Sequence, residues 1–186
     1  MCVVMSDKQQ QNEPEGFQRR GGAINELGFT YKRLLRLLPA LFRRAPEPRL
    51  AGVLLDQHAL DVKSNAQLTK VAMDLGQPPA PCVCEDADVL VENVYNADRA
   101  SAKPSVRTGG IVRALKAVRT HLIRTWGQLI GDIDPPEVEQ RSSAHKAAAA
   151  VQQQEAAQHR QLANFTNELE EQKHDEREGD ERRRTA

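Results

Sequence analysis

The segment LAGVLLDQHALDVKSNAQLTKVAMDLG, residues 50–76, decides the fold. At helical spacing it carries Leu54, His58, Asp61, Asn65, Leu68, Ala72 and Leu75, three and four residues apart in turn. That alternation belongs to a helix packed lengthwise against others. Both ends of the stripe are apolar, while its middle is His, Asp and Asn. Polar groups on a core-facing stripe must be paired, hydrated or bound to a ligand. The segment therefore predicts a polar layer inside a helical bundle. Gly76 closes this helix, with Pro78 and Pro79 beyond it, the usual stop signal.

Working outward, a helix over about 23–44 has the seam Leu27, Tyr31, Leu34, Leu38 and Leu41, with Leu35 and Phe42 alongside. Pro39 lies inside it and is expected to kink it or shift its register. After a Pro-rich loop at 77–84, a shorter helix is expected over about 85–102, with Ala87, Leu90, Val94 and Ala97 in register. Glu85, Asp86 and Asp88 supply the negative charge that a helix start favours. A helix over about 108–131 follows, with Ile111, Leu115, Val118, Leu122, Trp126 and Leu129 as an unbroken apolar seam.

Asp134-Pro135-Pro136-Glu137 is a helix start: N-cap Asp, then Pro, then Glu. The last helix is expected from there to about 171, with Ala148, Val151, Glu155, Gln158, Leu162, Phe165 and Leu169 inward. Its ends are again apolar and its centre polar. Residues 1–22 read as a disordered arm and 172–186 as a charged disordered tail, which leaves 23–171 as the bundle.

Composition agrees. Aromatic residues are 4% of the chain, and Ala, Leu, Gln, Glu, Lys and Arg dominate, the residues of helices. The 26 basic and 26 acidic residues cancel, so no global field argues for nucleic acid. No apolar run approaches the roughly 20 residues of a membrane span. The first residues lack the pattern of a signal peptide, so no membrane association and a cytoplasmic location are expected. Cys2, Cys82 and Cys84 are an odd set without a second cysteine pair, so they read as free thiols rather than disulfides or a zinc site. Glycine-rich phosphate loops, nucleophile elbows and His-Glu-x-x-His are all missing.

Long helices with short connections imply an antiparallel bundle whose inward side chains meet. Tyr31, His58, Asp61, Asn65, Glu155 and Gln158 lie mid-seam and could share one layer. Bundles of this class hold metal pairs there, with a Glu from two helices and Glu-x-x-His from two others. This chain offers two seam carboxylates, Asp61 and Glu155, and one imidazole, His58. The set is too thin for two metals. His58, Asp61 and Glu155 are the candidate metal residues, for a single iron or manganese ion or none. A hydrogen-bonded pair is the bland reading of His58 and Asp61, and proton transfer a third. Arg119, Tyr31 and His58 are candidate partners for Glu155.

Tyr31 to Pro39 (YKRLLRLLP), His58 with Asp61, Cys84 with Leu90-Val91-Glu92, Val118 to Gly127 and Glu155 to Leu162 resemble the YciE/YciF family of ferritin-like proteins, over about 24–170. The resemblance implies an all-α ferritin-like bundle of four main helices plus a shorter one, often a homodimer, with a metal centre and a link to stress responses. It places the family's first-helix Glu on Tyr31 and its second-helix His and Glu on His58 and Asp61. The third-helix acid falls at Glu92 or Asn93. The fourth-helix acids fall on Arg119 and Leu122, and the last-helix Glu on Glu155. At least three ligand positions are thus lost. A non-catalytic or weakly metal-binding bundle protein is expected. An iron-binding, oxidase-like protein and a helical adaptor for a protein partner are the alternatives.

Overall fold

The computed structural model describes residues 2–4, 15–100, 103–133 and 139–185. In chain order these are β1 (Cys2–Val4), α1 (Glu15–Arg43), α2 (Pro48–Asp74), β2 (Cys82–Cys84), α3 (Glu85–Arg99), α4 (Pro104–Asp132) and α5 (Glu139–Thr185). The two short strands pair antiparallel, with Cys2 opposite Cys84. All else is helical bundle. No described helix is long and apolar enough to cross a membrane.

Four helices close a ring: α1 on α2, α2 on α5, α5 on α4 and α4 on α1, while α3 lies across α1 and α4. Every neighbouring pair in the ring is antiparallel. Arg20 of α1 reaches the Asp132 carbonyl at the end of α4, and Arg107 near the start of α4 reaches the Arg44 carbonyl. Gln57 and Ser64 of α2 meet Gln161 and Glu155 of α5 in reversed order. α2 and α4 run parallel across the diagonal, so the chain returns between them through α3. One long crossover of this kind characterises the ferritin-like bundle.

The heptads explain the packing. α5 buries Ala144, Ala148, Val151, Glu155, Gln158, Leu162, Phe165 and Leu169, the expected seam and one turn more. α1 buries Ile24, Leu27, Tyr31, Leu34, Leu38 and Leu41. It continues through Pro39 without the register shift that the proline led us to expect. In α2 half of the expected stripe moves by one residue. Leu50, Leu54, Gln57, Asp61, Ser64, Leu68, Val71 and Ala72 are buried, while His58 and Asn65 are half-buried. Leu50 outweighs Ala51 in apolar surface, so its row turns inward at the start of the helix, while Val71 and Ala72 are both buried at its end. In α3 a slip of one residue in the opposite direction buries Val91 and Asp98 rather than Leu90 and Ala97.

Helix limits differ from expectation at both ends. α1 begins at Glu15 rather than about 23. Its first turns are held by tertiary bonds: Gln77 Nε2 donates to the Phe17 carbonyl at 2.6 Å, and Arg20 Nη1 to that of Asp132 at 2.9 Å. α5 runs on to Thr185, through the segment expected to be a disordered tail. α3 stops at Arg99. The helix start expected at Asp134–Glu137 lies outside the described residues.

Gly76 ends α2 as expected. Its φ is 67°; its N–H bonds the Met73 carbonyl at 2.9 Å, and that of Gln77 bonds Ala72 at 2.8 Å. This pairing needs a left-handed residue, which glycine adopts without strain. A Cβ at Gly76 would meet no neighbour, so backbone strain is the whole effect of replacing it. Gly76→Ala is expected to cost about 1 kcal/mol in chemical denaturation, and an unchanged midpoint would speak against this cap.

Candidate functional site: a buried polar layer

Midway along the bundle, α1, α2, α4 and α5 each contribute polar side chains to one layer. From α4, Arg119 is fully buried. Its Nη1 and Nη2 hold Asp61 Oδ1 and Oδ2 at 2.5 and 2.9 Å, a two-pronged grip from the diagonal helix. The same Nη1 donates to Glu155 Oε2 at 3.0 Å, and Nε donates to Gln57 Oε1 at 2.8 Å. One planar guanidinium thus ties α4 to α2 and α5. Its fixed fork and permanent charge suit it to this geometry.

The other oxygen of Glu155 is also occupied. Tyr31 Oη donates to Oε1 at 2.8 Å and Ser64 Oγ at 3.1 Å. Trp126 Nε1 donates to Tyr31 Oη at 2.9 Å. The resulting relay runs from the α4 indole through the α1 phenol to the α5 carboxylate. Gln154 Nε2 donates to Ser64 Oγ at 2.9 Å and to the Leu60 carbonyl at 3.2 Å, and closes the layer between α5 and α2.

Charge within the layer is uneven. Two carboxylates share one guanidinium, and all three are buried. Burial pushes the Asp61 carboxyl up from its usual 3.8 to about 6, against the pull of Arg119. Glu155 adds to the rise, and the charge of His58 opposes it. Tyr31 is raised well above its usual range by burial and by Glu155, so it stays a neutral donor. Arg119 is held fully charged by its two acids in spite of burial.

Of the sequence candidates, Asp61 and Glu155 meet, through Arg119 rather than directly. His58 lies at the edge of the layer, half-buried, and acts on Asp61 through charge. Gln57 and Ser64 were missed as inward residues, and the signal for them was the Leu50–Val71 row. Trp126 belongs to the core as expected, with its N–H joined to the layer. Among the described residues, no group of three or more His, Cys, Asp and Glu could hold a metal ion. The carboxylate oxygens that would face a cation are turned to N–H and O–H donors. Cys84 is a buried thiol, and Cys82 Sγ donates to the Asn25 carbonyl at 3.3 Å.

Gln158, one turn beyond Glu155, is fully buried with neither amide atom bonded. Such groups carry a desolvation cost of about 1–3 kcal/mol.

The chain matches no protein-family model and no curated protein. Among solved structures it resembles YcfI, "a putative structural protein from Rhodopseudomonas palustris", with a TM-score of 0.73 and 19% identity. The match covers 83% of this chain and 96% of that one. At this identity the likeness shows the fold alone, a helical bundle.

Three outcomes follow from the layer. Arg119→Met, which leaves two carboxylates without a cation, is expected to cost about 3–5 kcal/mol in urea denaturation. Gln158→Leu is expected to stabilise by about 1 kcal/mol or more, because it removes unpaired polar atoms from the core. The third concerns pH. The folded state holds the Asp61 proton to higher pH than the unfolded chain does. This contribution is therefore present in full below 3.8 and is lost as pH rises through about 6. Stability measured between those limits should show this downward contribution, and Asp61→Asn should remove it.

Proposed function

We propose that the chain is a non-catalytic, structural bundle protein built on a ferritin-like plan, with an arginine-centred ion pair where that plan places metal ligands. A single observation carries this reading. Arg119 lies between Asp61 and Glu155 and supplies the positive charge that a cation would supply. A guanidinium cannot lose its proton to become a ligand. The acids beside it have their oxygens engaged, so the donor set does not fit an iron or manganese centre, which calls for several free carboxylate or imidazole ligands.

Two likenesses support the reading. YcfI is described as a structural protein in the words given above, and that description is extended here to this chain. The YciE/YciF resemblance accounts for the positions concerned: Arg119, Leu122 and Tyr31 stand where that family keeps acids. A link to stress responses is part of the same proposal.

Metal analysis of the purified chain, produced with iron and manganese in the medium, tests this directly. The expected content is far below one ion per chain, unchanged in His58→Ala and Glu155→Ala. Stoichiometric iron or manganese, lost in both variants, would establish the iron-binding alternative instead.

A further inference from the structure

Between α1 and α3 lies a surface cleft of about 430 Å³, within the size range of small-molecule sites. Its apolar lining is Leu37 and Ala40 of α1 with Val91 of α3, which is 3% exposed. Around these stand Arg33, Arg36 and Arg44 on one helix and Glu92 and Tyr95 on the other. The three arginines differ in what holds them. At one end Arg33 Nη2 meets Asp88 at 2.7 Å and Glu92 at 3.3 Å. At the other, Arg44 Nη2 meets Asp98 at 2.9 Å. Arg36 stands between them and has no acid within ion-pair reach among the described residues. It also lies roughly two turns before the end of α1 at Arg43, too far from the last turn for its charge to offset the helix dipole. Arg33 adds a second unmet donor, because its Nε is shut from water with no acceptor.

The charge count points to a ligand class. Arg99 lies over the Tyr95 ring at 4.1 Å, and Arg107 comes within 3.8 Å of Asp98. Five guanidinium groups thus surround the cleft against three carboxylates, Asp88, Glu92 and Asp98, and two positive charges are left unmatched. A carboxylate ligand would offset one of them. A phosphate monoester, with a charge of about −1.5 to −2 at neutral pH, offsets both. The planar fork of an arginine also matches phosphate oxygens in pairs.

We propose that this cleft binds an organic phosphate monoester. Arg36 and Arg33 hold the phosphoryl group, and the apolar body lies on Leu37, Ala40 and Val91 beside the Tyr95 ring. No bond of the Arg119 layer is used, so the inference stands apart from the structural reading of the bundle.

An NMR titration of the nitrogen-labelled full chain tests it, with phenyl phosphate as the probe. Saturable binding is expected, with a Kd on the order of 1 mM or tighter. Arg36→Ala should weaken it at least about tenfold with unchanged helical circular dichroism, because Arg36 is exposed and bonded to no acid. Lys63→Ala, which removes an exposed cation of α2, should leave the affinity unchanged. Inorganic phosphate, which lacks the apolar body, and benzoate, which lacks the second charge, should each bind about tenfold more weakly. Absence of saturable binding by phenyl phosphate would overturn the proposal. So would equal losses in Arg36→Ala and Lys63→Ala, the mark of unspecific charge attraction. Inorganic phosphate bound as tightly as the ester would overturn the apolar subsite, and benzoate bound as tightly would overturn the phosphate assignment. Metal content and the stability of Arg119 variants report on the polar layer separately, so the two proposals can fail independently.

Discussion

Two carboxylates and one guanidinium, shut away from water at the same level of a four-helix bundle, constrain the rest of this structure. Moving a charge into an apolar interior is costly unless it is met by opposite charge and by hydrogen bonds to its remaining donors and acceptors. Asp61, Glu155 and Arg119 are fully buried, so α2, α4 and α5 have to hold their relative rotation and height for the three groups to meet. Tyr31 and Trp126 bring α1 into the same arrangement through Glu155. Apolar layers above and below tolerate exchange of similar volumes. A shift of one residue in any of these helices would strand a charge.

The layer also separates two uses of one architecture. Antiparallel bundles that carry metals place several acids at this level so that their summed negative charge offsets the ions. Here the excess is small, two acids against one internal cation, and the remaining imbalance is eased by the raised Asp61 carboxyl. Neutral groups complete the shell: a phenol, an indole, a serine and Gln154 as donors, and Gln57 as an acceptor from Arg119. Such a network specifies a register. The oxygens of Asp61 and Glu155 are all engaged by donors from the protein itself.

Much of the fold was legible in the sequence, and particular residues show why. The α5 seam through Glu155 and Gln158 is recovered in register because its alternation is carried by Val151, Leu162, Phe165 and Leu169, with no competing apolar row. The end of α2 was readable from Gly76, because its backbone geometry tolerates little else. In α2 itself two adjacent rows are nearly equivalent by periodicity, His58–Asn65 and Gln57–Ser64, and it is the second that turns inward. Leu50, which favours the second row, lies at the start of the helix, and at the far end Val71 and Ala72 of the two rows are buried alike. Arg119 could be placed near the core from the spacing of α4. Its grip on Asp61 depends on a diagonal pairing of helices that periodicity does not encode. The early start of α1 was hidden because Gly21 and Gly22 argue against helix, and bonds from Gln77 and to Asp132 overrule them.

The central claim is that Arg119 and Asp61 act as one buried unit. A double-mutant cycle measures it directly: urea denaturation of the wild type, Arg119→Met, Asp61→Leu and the two changes together. The account predicts that the double variant is more stable than Arg119→Met alone, with a coupling energy of about 2 kcal/mol or more. Additive losses, with a coupling indistinguishable from zero, would contradict it.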